Sequence, residues 1–286
     1  MGRRDYAEPG LVDRVLGLLG ETFPGFGESE RVGRARGLRW EKCSTPFVVE
    51  DEGRVVAHVG VLEIPLVVGG REVLAGGVHA VATQRAYRRR GLCRALMNEA
   101  LAHCDARYET VVLTAGHPAF YERHGFRVVP EHRFLCDSPP TAGHDGWRTL
   151  DLAASSDLEL LHTLLRDRAP VSSTLGVVRE LPVFTFDTAR ATLSYFHDLD
   201  AVVWFTVKDA TLRLHDVVAR EIPPLHQILA RVSGPVERVE CYFVPDRLGA
   251  PFSAEPWLFD EEQYLMARGP FVEAGSPVIL PRSARC

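Results

Sequence analysis

The stretch AYRRRGLCRALM, residues 86–97, decides the fold, because three arginines precede a glycine at the start of a helical pattern. Leu92, Leu96 and Ala100 share one face of that pattern, and Ala95 lies close beside them. The apolar spacing therefore predicts a helix over residues 91–104 that begins directly behind the arginines.

A helix that begins behind arginines favours an anion. The first turn of a helix has unpaired backbone N–H groups and a partial positive charge. Gly91 has no Cβ to keep the backbone away from a phosphate, and Arg88, Arg89 and Arg90 can supply forked donors. The stretch predicts a site for two or more neighbouring phosphates.

The arginine run matches no other common phosphate-binding motif. The chain contains no GxxxxGK[ST] motif, and no GxGxxG motif follows a strand pattern. A solvated arginine cluster in a loop stays the alternative. The regular elements before and after the run favour the phosphate site.

Composition excludes several classes of function. The 286 residues carry a net charge of −5, which gives no general attraction to nucleic acid. The six cysteines form no CxxC pair, and the start of the chain has no apolar signal core. No run approaches the roughly 18 apolar residues of a membrane span. We predict a cytoplasmic protein without a membrane or nucleic-acid partner, and the sequence leaves a homo-oligomer open.

The first half of the chain alternates helical and β patterns. Helical spacing covers residues 10–22 and 31–41, and Val-rich runs separated by short turns predict a meander with strands near 46–50, 54–67 and 72–83. After the arginine helix, the pattern predicts a strand at 109–115, a short helix closed by Gly125, and a strand over 126–135.

A similar pattern begins again in the second half. Pro, Gly and Asp at 137–147 indicate a linker. The elements expected beyond it are helices over 155–168, 187–198 and near 222–232, and strands over 201–207, 211–219 and 236–244. The tail from residue 245 onward is left unassigned.

Residues 46–135 resemble the GCN5-related N-acetyltransferase (GNAT) family. That family has a pyrophosphate loop of pattern Arg/Gln-x-x-Gly-x-Gly/Ala, matched here by Arg88, Gly91 and, with a departure at the third position, Cys93. Together with FYERHGF at residues 120–126, the loop is similar to the two-lobed, enhanced-intracellular-survival type of acetyltransferase.

The resemblance implies an α/β (α+β) fold, with a mixed, mostly antiparallel sheet flanked by helices and a second GNAT-like lobe. It divides the chain into an N-terminal acetyl-CoA-binding domain, residues 1–137, and a C-terminal lobe without a cofactor loop, residues 148–286.

The resemblance also assigns the site. Acetyl-CoA is the implied cosubstrate, with its pantetheine along Val81 to Thr83, where the sheet splays from the strand VVLTA. The pyrophosphate is assigned to the loop residues Arg88, Arg89, Arg90, Gly91, Leu92, Cys93 and Arg94. Tyr121 occupies the position of the general acid, and a tyrosine pKa near 10 suits proton donation to a thiolate. Its alternative role is packing beside Phe120 and Phe126.

A general base does not stand out. His79, Glu63 and His117 are candidates, and each also has an ordinary structural interpretation. His117, His124 and His132 form no helical i, i+4 pair and no HExxH motif, so we predict no metal.

The function expected is direct transfer of an acetyl group from acetyl-CoA to a primary amine of a small molecule. Acidic residues such as Glu63, Glu122 and the run 260–262 favour a polyamine or an aminoglycoside-like acceptor. Two alternatives stay open: a CoA-binding sensor or scaffold without turnover, and a transferase for another acyl group, as in the two-lobed mycothiol synthases.

Overall fold

Two sheets and the helices around them make up the fold. The computed structural model describes residues 1–137, 143, 146–179, 181–259 and 263–285. In chain order the strands are β1 (Gly2–Arg3), β2 (Ser44–Asp51), β3 (Arg54–Val68), β4 (Arg71–Thr83), β5 (Val111–Ala115), β6 (Arg127–Val128), β7 (Glu131–Asp137), β8 (Trp147–Thr149), β9 (Leu175–Val177), β10 (Ser194–Phe196), β11 (Ala201–Lys208), β12 (Thr211–Ala219), β13 (Arg238–Cys241), β14 (Ser253–Trp257) and β15 (Tyr264–Arg268).

The helices are shorter and lie mainly outside the sheets. They are α1 (Leu11–Thr22), α2 (Phe26–Ala35), α3 (Trp40–Cys43), α4 (Leu92–Asp105), α5 (Pro118–Glu122), α6 (Ser155–Asp167), α7 (Pro182–Asp187) and α8 (Leu225–Leu229), with 3₁₀ turns at Arg85–Tyr87, His197–Leu199 and Arg282–Ala284.

The first sheet has the strand order β1-β2-β3-β4-β5-β15-β6, and β9 pairs with the far end of β3. Its two faces are both buried. Val59 and Val61 of β3 pack with Leu96 of α4 in one apolar cluster, whereas Ile64 packs with Leu11 of α1 in another. This burial on both faces explains the long Val-rich runs of the meander.

The second sheet has the order β14-β7-β13-β12-β11-β10-β8. The two sheets exchange strands: β7, from the first half of the chain, lies between β13 and β14, and β15, from the second half, lies between β5 and β6. The N-terminal and C-terminal halves are therefore joined through backbone hydrogen bonds in both sheets.

The structure confirms the fold class and most local elements. The meander strands and the helix behind the arginines lie within two residues of their predicted limits. The short helix is also present and is followed by Gly125 at φ +85°.

Three predicted elements are wrong. The helix predicted over 31–41 is the end of α2 and the start of α3, which are separated by a turn at Gly37 with φ +98°. The single strand over 126–135 is two strands, β6 and β7, because Pro130 between them has no N–H for a sheet and the chain passes from one sheet to the other. The predicted helix over 187–198 is a turn followed by β10, whose Tyr195 pairs with Val202.

Two predictions fall wholly or mostly on residues outside the described ranges. Most of the linker and the acidic run at 260–262 lie there. Within the described ranges, no helix is long and apolar enough to cross a membrane.

A buried ion pair joins the end of α6 to β12 of the second sheet. The side chains of Arg168 and Asp216 are both 0% exposed, with an Nη2 to Oδ1 distance of 2.6 Å. Ser283, in the terminal segment, donates a hydrogen bond to the same carboxylate. Asp216 thus holds both the guanidinium and the end of the chain.

We expect Asp216→Asn to lower the free energy of unfolding by about 3–5 kcal/mol, because Arg168 would keep a buried, uncompensated charge. Urea denaturation measures the change. The control is Glu28→Gln, which breaks an ion pair to Arg190 whose side chains are each 58% exposed and should cost less than about 1 kcal/mol. Equal costs for the two variants would contradict the assigned role of Asp216.

Candidate functional site

The site begins where β4 and β5 separate. These parallel strands pair only at Gly76 with Val111 and at Gly77 with Val112. Beyond Gly77, β4 continues to Thr83 without pairing to β5. Val81 and Thr83, the residues assigned to pantetheine, lie on this part of β4. Its edge towards β5 has no strand partner, so backbone groups on that edge are available to a ligand.

A bulge shapes β4 at the same place. His58 pairs with Ala82 and Gly60 pairs with His79, so the register shifts between them. Ala80 has φ +50°, a left-handed conformation that is uncommon for a residue with a Cβ. The His58 imidazole lies 2.8 Å from the Ala80 carbonyl oxygen through Nδ1. This hydrogen bond supports the turned backbone in the opening between the strands.

The arginine loop forms a cavity of about 300 Å³ at one end of the opening. Arg89 and Gly91 are both left-handed, at φ +64° and +79°. The first hydrogen bond of α4 joins Ala95 N to Gly91 O at 3.0 Å, so the amides of residues 92–94 have no partner within the helix. The cavity is lined by Thr83, Tyr87, Arg88, Arg89, Gly91, Leu92, Cys93, Arg94, Phe120 and Arg123.

The three arginines of the motif differ in their surroundings. Arg88 donates from Nε to the Thr83 carbonyl oxygen at 3.1 Å, which ties the loop to the end of β4. Arg89 lines the cavity. Arg90 lies with its guanidinium 4.8 Å from the centre of the Tyr87 ring, outside the lining of the cavity.

Sequence reasoning missed three residues of this cavity, Tyr87, Phe120 and Arg123. Phe120 and Arg123 are three residues apart at α5, so they face the same side of the short helix. That spacing, within the motif FYERHGF, was the signal that could have identified Arg123 as a further cation beside the loop.

Tyr121 lies between the loop and the core. Its ring contacts Phe120 and Phe126 with centroid distances of 4.9 and 6.2 Å. It packs against the same apolar cluster as Val81 and Cys93. Burial raises the pKa of Tyr121 above its usual value, and the Cys93 thiol raises it further. The phenol therefore keeps its proton at neutral pH.

The two thiols of α4 are protonated as well. Burial raises the pKa of Cys93 to about 11 and that of Cys104 to about 12. A nucleophilic cysteine needs a depressed pKa, so neither thiol has the environment for a covalent acyl intermediate.

A larger cavity of about 800 Å³ lies between the two sheets; we call it the inter-lobe cavity. It reaches the opening through His79 and Ala80 of β4 and Thr114 of β5. Its aromatic lining comes from both halves of the chain and comprises Phe23, Phe26, Trp40, Phe186, Trp204, Phe205 and Phe259.

The structure separates the candidate bases. His79 lines the inter-lobe cavity, and burial lowers its pKa to about 3. Glu63 lines a different cavity, where it accepts a hydrogen bond from Tyr108 at 3.1 Å. His117 is exposed at the start of α5.

Two of the acidic residues thought to attract a cation, Glu63 and Glu122, do not line the inter-lobe cavity. Glu63 lines another cavity, and Glu122 lies in a groove at α5. Within the described ranges, no group of three or more His, Cys, Asp or Glu side chains could hold a metal ion.

Comparison with known proteins finds a family model that matches most of the first half of the chain. Residues 5–129 match the model of an acetyltransferase (GNAT) domain. Over 92 residues, or 32% of this chain, the sequence is 34% identical to the uncharacterized N-acetyltransferase YhbS of Escherichia coli. The match spans 54% of that protein, so the chain covers about half the length of the curated relatives it resembles.

Solved structures resemble nearly the whole chain. A probable N-acyltransferase from Enterococcus faecalis superposes with a TM-score of 0.61 at 14% identity, covering 93% of this chain and 71% of the other. Eis1 from Mycobacterium abscessus gives 0.57 at 18% identity, covering 93% and 72%. These likenesses show a shared fold across both sheets. Residues 5–129 of this chain are therefore similar to an acetyltransferase domain of the GNAT family.

Proposed function

We propose that this protein is an acetyl-CoA-dependent N-acetyltransferase that moves an acetyl group directly to a primary amine of a small molecule. One observation carries the proposal: a single strand, β4, joins the two cavities. Thr83 at its end lines the arginine cavity, and His79 and Ala80 line the inter-lobe cavity. A ligand held at both ends of this segment would present its reactive end to the acceptor.

The proposed placement of acetyl-CoA follows from the donors. The amides of residues 92–94, with Arg89, Arg94 and Arg123, suit the pyrophosphate. The edge of Val81 to Thr83 that faces β5 has no strand partner and suits the amides of pantetheine, which can pair with it as a short strand would. The thioester would then lie near the bulge at Ala80.

Two protons must move during the reaction. A protonated amine loses one proton before it attacks the thioester carbon, and it loses a second as the tetrahedral intermediate collapses. The C–S bond breaks, and the departing thiolate takes a proton from Tyr121, whose phenol is protonated at neutral pH. The second amine proton restores the Tyr121 phenol, and the first leaves to solvent. The products are the amide, the free thiol and one proton in solvent.

The inter-lobe cavity supports a particular kind of acceptor. Its seven aromatic side chains offer apolar faces, and such faces bind flat or apolar groups as well as cations. We propose a small amine with an apolar body. The volume of about 800 Å³ is ample for such a molecule.

The division into a cofactor-binding lobe, residues 1–137, and a C-terminal lobe, residues 148–286, is proposed on the basis of function. In the second sheet, β12 and β13 are also parallel neighbours. However, the chain after β12 contains Pro223 and Pro224, which lack an N–H. The next amide, Leu225 N, is already hydrogen bonded to Leu248 O at 2.8 Å. The segment after β12 therefore lacks the run of free amides that α4 offers to a pyrophosphate.

We therefore expect one CoA per chain at saturation. Isothermal titration calorimetry with CoA measures this stoichiometry directly, with the concentration of folded protein fixed by absorbance. Two equivalent sites per chain would show that the second lobe binds a nucleotide after all.

The activity is tested by a thiol-release assay with a panel of amines. Acetyl-CoA, propionyl-CoA and succinyl-CoA are supplied in parallel, and the products are identified by mass spectrometry. We expect an N-acetylated small amine. Preference for another acyl group would favour a mycothiol-synthase-like transferase. CoA binding without turnover on any amine would favour a sensor, and activity only on peptides would exclude a small-molecule acceptor.

A further inference from the structure

His79 belongs to a chain of hydrogen bonds that runs away from the inter-lobe cavity. The distance from His79 Nε2 to Ser44 Oγ is 2.8 Å. Ser44 is also hydrogen bonded to Tyr6. The Tyr6 hydroxyl lies 3.4 Å from His58 Nε2. His58 in turn contacts the Ala80 carbonyl oxygen at 2.8 Å through Nδ1.

The Ala80 carbonyl, the last acceptor in this series of hydrogen bonds, fixes the direction of each of them. A carbonyl oxygen can only accept, so His58 carries its proton on Nδ1 and presents a lone pair on Nε2. Tyr6 must then donate to His58, and Ser44 must donate to Tyr6. Since the single hydroxyl proton of Ser44 is used, His79 Nε2 must be the donor to Ser44 Oγ. The lone pair of His79 is thereby left on Nδ1.

The His79 ring is held firmly in this arrangement. It stacks on Trp40, with centroids 5.2 Å apart and planes 10° apart. On its other side, a Cβ built on Gly60 would lie 2.4 Å from His79 Nε2. The absence of a side chain at residue 60 thus leaves the space that the imidazole occupies.

Ser44 and Tyr6 also reach a second cavity. Both line a polar cavity of about 880 Å³, together with Glu41 and Glu63. His79, in contrast, lines the inter-lobe cavity. The pair His79 and Ser44 therefore connects the proposed acceptor site to a separate polar cavity.

We propose that His79 Nδ1 takes the proton of the acceptor amine and that Ser44 passes a proton on to the polar cavity. This proposal rests on the proposed acetyltransferase function. An N–H bond of the amine breaks as Nδ1–H forms. The Nε2 proton passes to Ser44 Oγ, and the Ser44 proton passes to water in the polar cavity. Tyr6 and His58 are positioning residues, because they set the tautomer of His79.

Burial favours a proton transfer in which the His79 imidazole never becomes a stable imidazolium. It lowers the pKa of His79 to about 3 and that of His58 to about 4, so both rings are neutral at neutral pH. An imidazolium would be costly here, and Ser44 offers the proton an exit as soon as Nδ1 is protonated. The other titratable groups in or beside this series of hydrogen bonds are Tyr6, Cys43 and Glu41.

The first test needs no substrate. A long-range ¹H–¹⁵N spectrum of histidine-labelled protein distinguishes the two neutral tautomers, and His79→Gln assigns the signal. We expect the His79 proton on Nε2 and the His58 proton on Nδ1. In Tyr6→Phe, Ser44 is free to donate to His79 instead, so the share of His79 with its proton on Nδ1 should rise. A His79 proton on Nδ1 in the wild type would overturn the proposal.

The second test is kinetic. We expect Ser44→Ala to lower kcat at neutral pH by about 10², a typical contribution of general base catalysis, with an unchanged KM for acetyl-CoA. The loss should shrink at high pH, where the amine is already deprotonated. Tyr6→Phe should show a smaller loss of the same kind. Ser253→Ala, on the exposed strand β14, is the control and should keep wild-type kcat.

The outcomes separate this proposal from the function beneath it. Wild-type turnover with an unaffected Ser44→Ala variant would refute the proton path and leave the acetyltransferase intact. A loss that is equal at every pH would also refute it. A wild type that shows the expected tautomers but acetylates no amine would refute the function and leave only the hydrogen-bond order.

Discussion

Replacing Tyr121 with phenylalanine should lower kcat by about 10² to 10⁴, the usual cost of losing a general acid. The variant keeps the ring and its contacts with Phe120 and Phe126, so stability and CoA affinity should hardly change. The pKa of the phenol, raised by burial, leaves it protonated at neutral pH and therefore available as a proton donor to the departing thiolate. Steady-state kinetics under conditions where chemistry limits turnover measure the effect.

A second tyrosine provides the control for Tyr121→Phe. Tyr195 is half-buried in the second sheet, and its hydroxyl donates to Asp200 at 2.8 Å, far from the opening between β4 and β5. Tyr195→Phe loses a hydroxyl of the same kind and should keep wild-type kcat. If Tyr121→Phe behaved like this control, Tyr121 would be a packing residue and the leaving thiolate would take its proton from water.

Gly91→Asp should weaken CoA binding by at least about 10², because a carboxylate would meet the pyrophosphate and remove a close backbone approach. This loss corresponds to about 2.7 kcal/mol. In the structure, nothing lies within 4 Å of a Cβ built on Gly91, so the substitution does not disturb protein packing. It adds backbone strain, since Gly91 has φ +79°. Calorimetry with CoA measures the change in affinity.

The backbone strain is controlled by a matched glycine. Gly234 has φ +89°, and nothing lies within 4 Å of a Cβ built there. It is in the second half of the chain, after α8. Gly234→Asp therefore introduces the same charge and a similar strain without touching the loop, and it should bind CoA normally. Equal affinities for the folded Gly91→Asp and Gly234→Asp variants would exclude the loop as the phosphate site.

The sequence predicts the parts of the fold that depend on neighbours along the chain. Helix α4 follows from the spacing of Leu92, Leu96 and Ala100, and the meander follows from its turns. The exchange of β7 and β15 between the sheets does not follow from any local pattern. Which strands become neighbours depends on how distant segments pack, and periodicity carries no information about that.

The predicted helix over 187–198 failed for a related reason. Leu193 and Phe196 have helical spacing, and both are buried, but the segment from Ser194 pairs with Ala201 to Val203 as an antiparallel strand. Pairing across a tight turn rewards an extended conformation that the residues alone do not specify. Tertiary context here outweighs the intrinsic preference.

The sequence likewise predicts the arginine cavity of the site but not the inter-lobe cavity. The motif led directly to the arginine cavity, since its residues are consecutive. The inter-lobe cavity was beyond prediction, because Trp40, Trp204 and Phe259 come from three distant segments. His79 was one of three candidate bases in the sequence. Only the structure distinguishes it, through its contacts with Ser44 and Trp40.

The central claim is that one CoA lies along β4, from the arginine loop to the inter-lobe cavity. A crystal structure of the protein with CoA tests it most directly. We predict the pyrophosphate on the amides of residues 92–94, the pantetheine along Val81 to Thr83, and the sulfur at a hydrogen-bonding distance of about 3 Å from Tyr121 Oη. CoA bound elsewhere, or a sulfur directed away from both Tyr121 and the inter-lobe cavity, would contradict the account.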